Sequence, residues 1–238
     1  FECRQTFINY LPSYTAPGHA CIYTGSVPAI HGIVSNDWID NRTGRWWYCT
    51  EDTTVRATGG HHKSGAMSPR NLLATTITDE LKMTMGSRSR VYGLALKDRG
   101  AIIPAGHMAD GAFWFDDTTG QFITSSYYMS ALPSWLRRFN ERRLPDSLLG
   151  IAWEPLLPPA QYRSVVPDDN PYEGVHPHEQ RPVFPHKADP GSGYHMLRYM
   201  PAGNTLSFRL AEACIEGEGL GGGSATDFFC LSLSAADY

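Results

Sequence analysis

The chain has 238 residues, 42% hydrophobic and 18% charged, which suits one globular α/β domain or a large part of one and carries no compositional sign of disorder. Twenty Lys and Arg against 24 Asp and Glu leave a formal net charge of −4, so a broad electrostatic hold on nucleic acid or anionic lipid is excluded and any phosphate recognition must be local. No apolar run reaches the roughly 18 residues of a membrane span, and no charged-then-apolar leader precedes Phe1.

Gln5 to Tyr10 is strand-like, and Leu11-Pro12-Ser13 breaks it before the stretch from Thr15 to Cys21 turns into helix. Ser68 and Pro69 read as N-cap and first helical residue, with Leu72, Leu73, Thr76, Ile77 and Leu81 at helical spacing and Gly86 as a stop, predicting a helix from about Pro69 to Met85. Val91 to Leu96 is a short apolar run of the kind buried in a parallel sheet, and charge begins where it stops, at Lys97-Asp98-Arg99. Ala112 to Asp116 and Gln121 to Thr124 flank the turn-rich Asp117-Thr118-Thr119-Gly120, a β-hairpin pattern. A helix from about Pro133 to Arg143 follows. From about Ala152 to Pro201 the sequence is dense in Pro, Gly, His, Asp and aromatics without a sustained period, which reads as an insertion or cap over the sheet. Leu206, Leu210 and Ala213 mark one side of a further helix, Gly217 to Gly223 a flexible link, and Asp227 to Ser234 a last buried strand that delivers Asp237 beyond its end.

Strands alternating with helices imply a mostly parallel sheet with right-handed crossovers, where ligands bind beyond the carboxyl ends of the strands. Thr15, Lys97, Arg99 and Asp237 all fall at such ends. No repeat or second domain is evident, so 1–238 reads as one domain or a large part of one. The start at Phe1 without an initiator Met and the stop at Tyr238 after an apolar run read as two cut ends. Five dispersed cysteines (Cys3, Cys21, Cys49, Cys214, Cys230) contain no C-x-x-C pair; they read as small buried hydrophobes, with one disulfide open if the protein is exported.

From local sequence alone, Thr15 reads as a helix cap, Asn36 as a turn residue and Lys97-Asp98-Arg99 as a solvated loop. The stretch from Asn9 through Thr15-Ala16-Pro17-Gly18-His19 and Tyr23-Thr24-Gly25 to Asn36-Asp37-Trp38 changes that reading. It resembles the nucleophile region of the alkaline phosphatase superfamily, nearest to its threonine-dependent (PafA-like) bacterial phosphatases, within a superfamily that also holds type I phosphodiesterases and nucleotide pyrophosphatases. The resemblance extends over the whole chain and is weakest in the Pro-rich middle.

The resemblance implies a three-layer α/β/α sandwich of the alkaline phosphatase type, truncated at both ends. It makes Thr15 the nucleophile, stabilised as an alkoxide by one of two Zn2+ ions, and Asn36 a donor to a non-bridging phosphoryl oxygen. Lys97 and Arg99, which in an extended segment project to the same side, become two cations for the dianion of a monoester. Asp237-Tyr238 resembles the start of an Asp-Tyr-x-Gly-His segment whose Asp and His bind zinc. The remaining metal ligands fall outside the sequence, so the piece alone is expected to be inactive. The implied activity is hydrolysis of small phosphate monoesters through a phospho-threonine intermediate in a periplasmic or secreted enzyme. The alternatives are a phosphodiesterase or nucleotide pyrophosphatase on the same scaffold, and a non-catalytic phosphate binder. His19 reads as helix packing rather than a base, and His176, His178, His186 and His195, like His61 and His62, read as exposed loop histidines rather than a further metal site. Asn41-Arg42-Thr43 matches the glycosylation sequon, a triplet common by chance.

Overall fold

The computed structural model describes residues 4–162, 167–176, 178–188, 191 and 193–235. Helix α1 (Thr15–Thr24) ends at Gly25, whose left-handed φ of 65° lets its N–H close on the Cys21 carbonyl at 3.0 Å. A single turn, α2 (Pro28–His31), leads to a two-stranded antiparallel ribbon, β1 (Asp37–Ile39) and β2 (Trp46–Tyr48), with Asp37 opposite Tyr48 and Ile39 opposite Trp46. Next come the short β3 (Ala57–Thr58) and α3 (His62–Gly65). Helix α4 (Ile77–Met85) is started by a capping box in which Thr76 and Asp79 satisfy each other's backbone N–H groups. The core units are β4 (Val91–Ala95), α5 (Asp98–Ala105), β5 (Gly111–Asp116), β6 (Gln121–Ser125), α6 (Ser134–Glu141), α7 (Leu144–Leu149), α8 (Pro201–Glu218) and β7 (Phe228–Ser232).

All five β4 residues are buried, as a strand without a polar face requires. It lies between β5 and β7, parallel to both, and β6 and β3 extend the sheet antiparallel beyond β5, in the order β3-β6-β5-β4-β7. The unit β4-α5-β5 is a parallel crossover, and the β5–β6 hairpin turns over Asp117–Gly120 as its sequence predicts. Tyr92, Leu94 and Leu96 face one layer, where Phe113, Phe115 and Phe122 meet Trp135, Leu136 and Phe139 of α6 and Leu206, Leu210 and Cys214 of α8. Ala95, Ala112, Trp114 and Ile123 face the other, against Ala101, Ile102 and Ala105 of α5. Gly93 lies directly under α5, where a methyl group would collide with the Ala101 carbonyl. Helix α1 packs outside α5, with Ala16, Ala20 and Ile103 in one cluster with Ile33, Cys49 and Leu72. The α/β fold with helices on both faces of the sheet is therefore as the sequence implies, although the sheet is mixed.

Several expected elements are corrected. Residues 5–10 join no strand among the described residues; Phe7 and Ile8 are 84% and 65% exposed, and β propensity without a neighbouring strand does not make a ladder. The helix predicted over Pro69–Met85 is two pieces. Ser68 does cap a first turn, Pro69–Asn71, by accepting the Arg70 N–H, but Leu72 is extended and the Thr76 box starts a fresh helix. The helix predicted to end near Arg143 stops at Glu141, and α7 follows after Arg143 takes a left-handed φ of 47°.

In the stretch 152–200 the described residues hold an isolated bridge between Trp153 and His186 and two 3-10 turns, Pro159–Gln161 and Tyr194–Tyr199. Its histidines are not all exposed loop residues. His186 is 8% exposed, stacks at 5.2 Å on His176 and 4.6 Å from Phe184, and pairs through Nδ1 with Glu179 at 2.7 Å. Apolar contact with Trp153 and Phe184 is available locally, so the rings form a small core of their own. Of the cysteines, Cys49, Cys214 and Cys230 are buried, Cys21 is partly so, all four are free thiols, and Cys3 lies outside the described residues. No described helix is long and apolar enough to cross a membrane.

Candidate active site

Thr15 is the first residue of α1, and the N-cap is Tyr14, which makes no side-chain capping bond. The helix start is satisfied from elsewhere. Gly18 N–H bonds to Tyr14 O at 3.0 Å, Pro17 has no N–H to satisfy, and the Ala16 N–H donates to Asn36 Oδ1 at 2.9 Å. Thr15 is half-buried, and its hydroxyl and N–H have no partner among the described residues. The local reading of Thr15 as a cap is thus replaced: Asn36, twenty-one positions away, is the capping group.

That bond also fixes which way Asn36 points. A backbone N–H only donates, so the atom facing it must be the amide oxygen, and Nδ2 with its two donors is directed away from the bond. The Asn36 backbone is held as well, its carbonyl accepting the Cys49 N–H at 2.9 Å as the β1–β2 ribbon begins. Asn71 braces the far side of the ribbon, donating Nδ2 to Cys49 O at 3.2 Å and Glu51 O at 3.3 Å.

The same ribbon reaches the second half of the site. Lys97, 2% exposed, is the N-cap of α5, and Asp98 and Arg99 are its first two residues. The extended geometry expected for Lys97 and Arg99 is therefore corrected: the chain turns into helix at once, because the buried strand above needs a tight crossover. Tyr48 donates its hydroxyl to Asp98 Oδ1 at 2.8 Å, and Thr50 makes a short hydrogen bond to Asp98 Oδ2. Arg99 Nη1 donates to the Tyr48 oxygen at 2.8 Å. Arg99 Nε is buried and finds no acceptor among the described residues.

Burial raises the Tyr48 pKa, and the Asp98 carboxylate raises it further, so the phenol stays protonated. Burial opposes the Arg99 charge, but its Tyr48 and Asp98 neighbours outweigh that, and Arg99 stays a cation. One ribbon thus bonds to Ala16, next to Thr15, through Asn36 and to Arg99 through Tyr48, and Lys97 precedes Asp98 as the N-cap of α5. Asp237 lies outside the described residues. Sequence reasoning missed Tyr48, Thr50 and Asp98. The signal for the first two was the Tyr-x-Thr spacing at the end of a strand-like run of aromatics.

His19 packs between α1 and β7, its ring 6.4 Å from Tyr23 and its Nε2 3.5 Å from Ser232 Oγ. Among the described residues no three His, Cys, Asp or Glu side chains converge, so these residues do not fit a complete zinc site, and Thr15 is the sole donor of the expected set in view.

Residues 3–188 match the family described as type I phosphodiesterase / nucleotide pyrophosphatase. The alkaline phosphatase PhoV of Synechococcus elongatus is 46% identical over the whole chain, and the alkaline phosphatase PafA of Elizabethkingia meningoseptica 44%. A Myroides odoratus protein named a calcium-transporting ATPase is 46% identical over the same length. The chain spans 44% of the length of each of these relatives. The crystal structure of wild-type PafA superimposes with a TM-score of 0.93 at 45% identity, covering 97% of this chain and 45% of that one. A PafA variant substituted at one threonine, one asparagine, one lysine and one arginine gives the same TM-score of 0.93.

Proposed function

The chain belongs to the type I phosphodiesterase / nucleotide pyrophosphatase family, and from that membership we propose that it forms the nucleophile-bearing part of an alkaline phosphatase acting on small phosphate monoesters. The Thr15 hydroxyl gives up its proton and its oxygen attacks phosphorus as the bond to the ester oxygen breaks, the leaving alkoxide takes up a proton to depart as the alcohol, and water then cleaves the phospho-threonine to inorganic phosphate and the restored hydroxyl. The observation that carries this reading is a set of polar groups held in place yet left with spare donors: the Asn36 amide fixed by its oxygen, and Arg99 fixed by Nη1 with Nε unpaired. Donors prepared in this way suit the equatorial oxygens of a phosphoryl group, where a loose transition state spreads charge. Lys97, the N-cap of the helix that Arg99 begins, supplies a second cation, which favours the more charged monoester over a diester.

The names of the relatives support the same chemistry, since phosphatases and an ATPase all cleave a bond from phosphorus to oxygen. The four residue types altered in the PafA variant are those of Thr15, Asn36, Lys97 and Arg99, in the same chain order. A threonine hydroxyl needs a base or a cation to become a nucleophile at neutral pH. No base is bonded to Thr15 among the described residues, and the two Zn2+ ions expected from the resemblance would require ligands beyond those described. This chain's own part is to present the hydroxyl and hold the oxygens. A periplasmic or secreted location is proposed on family likeness alone.

In the full-length protein Thr15→Ala is expected to lower kcat/KM for an aryl phosphate by at least about a hundredfold, and brief incubation with labelled substrate followed by an acid quench should trap label on Thr15 by mass spectrometry. Turnover within a few-fold of the parent, with no labelled threonine, removes Thr15 from the mechanism. The family description favours a diesterase as the second reading. It predicts that Lys97→Ala and Arg99→Ala weaken diester and monoester cleavage equally, whereas the monoesterase reading predicts the larger loss on the monoester. Phosphate binding without any turnover would instead identify a non-catalytic binder.

A further inference from the structure

The bonds around Asp98 form a closed arrangement that the proposed chemistry does not itself use. Tyr48 and Thr50 stand two positions apart and send one hydroxyl to each oxygen of the Asp98 carboxylate. The Tyr48 oxygen, its O–H directed at Asp98, accepts Arg99 Nη1 on a lone pair at 2.8 Å. The guanidinium therefore meets the carboxylate through an intervening phenol, and no direct Arg99–Asp98 ion pair forms among the described residues. A direct bidentate pair would occupy two guanidinium donors and cancel most of the field Arg99 can offer a ligand. With the phenol between, one Nη1 donor is spent on orientation, the charges stay a hydroxyl apart, and Nε remains buried without an acceptor.

We propose that Tyr48 is a positioning residue that holds Arg99 ready for a phosphoryl oxygen while keeping it out of an ion pair with Asp98, and that its hydroxyl thereby sets the preference for phosphate monoesters over diesters. This rests on the reading of Arg99 as a phosphoryl-binding cation. The Tyr48 ring is partly buried against the cluster under α1, and the ribbon that carries it is anchored at Asn36, so one short segment orients both the amide and the cation. Removing the oxygen frees Arg99 to fall onto Asp98 without altering the ring packing, because phenylalanine fills the same space.

The test is Tyr48→Phe, Arg99→Ala and the double variant in the full-length protein, each assayed on a matched aryl monoester and aryl diester, with inorganic phosphate as a competitive inhibitor. Tyr48→Phe is expected to lower monoester kcat/KM by about tenfold and weaken phosphate inhibition similarly, the scale of one charge-assisted hydrogen bond, while diester cleavage changes by less than about twofold. In the Arg99→Ala background Tyr48→Phe should add nothing, since its effect runs through that guanidinium. Asp98→Asn, which keeps an acceptor for Tyr48 and removes the charge that competes for Arg99, should cost less than Tyr48→Phe. Equal losses on both esters, or losses that multiply in the double variant, overturn the proposal and leave Tyr48 a structural residue. If Arg99→Ala spares the monoester, the reading beneath the proposal fails and takes it along; if Arg99→Ala is impaired and Tyr48→Phe is not, only the role of Tyr48 is lost.

Discussion

Two stretches of this chain have little regular structure and many polar and aromatic residues, and they differ in what holds them. The segment from Asn36 to Thr50 is built on a ribbon of two three-residue strands, and its polar groups bond across the fold, to Ala16 at the start of α1 and to Asp98 and Arg99 at the start of α5. The described part of 152–188 bonds mainly to itself: Trp153 to His186 through the backbone, His186 to Glu179, and Arg181 to Asp169. What separates a site from a covering segment is whether its side chains satisfy groups on distant core elements, since only then does the core fix their positions.

The sharpest way to break that contrast is Asn36→Ala. It removes both a donor from the proposed site and the external cap of α1, so the full-length enzyme should lose about a hundredfold in monoester kcat/KM together with about 1 kcal/mol of stability. Loss of stability with activity intact would make Asn36 a cap alone. Next in size is Gly93→Ala, which pushes α5 off the sheet and with it Lys97 and Arg99; about 2 kcal/mol should be lost in denaturant unfolding, with the site weakened in proportion.

The acid limb sharpens the comparison from the side of the core. Burial alone would raise the Asp79 and Asp116 pKa values, but donors outweigh it: His107, Thr76 and Met108 for Asp79, and His61, Thr119, Ser64 and Thr118 for Asp116. Both carboxyls therefore titrate below their ordinary 3.8. A depressed folded pKa means that the unfolded chain takes up protons first, so this stability is present above 3.8 and is lost as pH falls through the folded values. His107 has the opposite sign. Nδ1 meets Asp79 at 3.0 Å and Nε2 meets Leu72 O at 2.9 Å, an acceptor at each nitrogen that favours the protonated ring, and the bond to Asp79 is the main cause of its raised pKa. Its contribution is present below 6.5 and lost as pH rises through the folded value. Melting temperature against pH should fall on both sides, and Asp79→Asn should flatten both limbs.

Smaller effects belong to the other stretch. His186→Ala should cost about 1 kcal/mol through lost ring contacts and leave kcat/KM within about twofold. Arg181→Ala, which removes an exposed pair with Asp169, should leave the melting temperature unmoved. A hundredfold loss of activity from either would show that the segment reaches the site.

Much was legible from the residues alone. The run Val91 to Leu96 fixed the central strand because a sequence with no polar face has to be buried on both sides, and the Asp117–Gly120 turn fixed the hairpin. Gly86 marked a helix stop because it closes the last turn. The family resemblance singled out Thr15, Asn36, Lys97 and Arg99 as the candidates. Residues 5–10 were misread because a strand exists only with a partner, which local propensity does not supply. The break at Leu72 was missed because the capping box at Thr76 and Asp79 competed with an unbroken apolar period and prevailed through a buried carboxylate bonded to His107 and Met108. Local order follows from neighbours along the chain, so sequence determines it. Tertiary structure alone decided that Asn36 caps a helix twenty-one residues away and that Tyr48 stands between Arg99 and Asp98, because a hydrogen bond between remote residues depends on where the core sets their backbones.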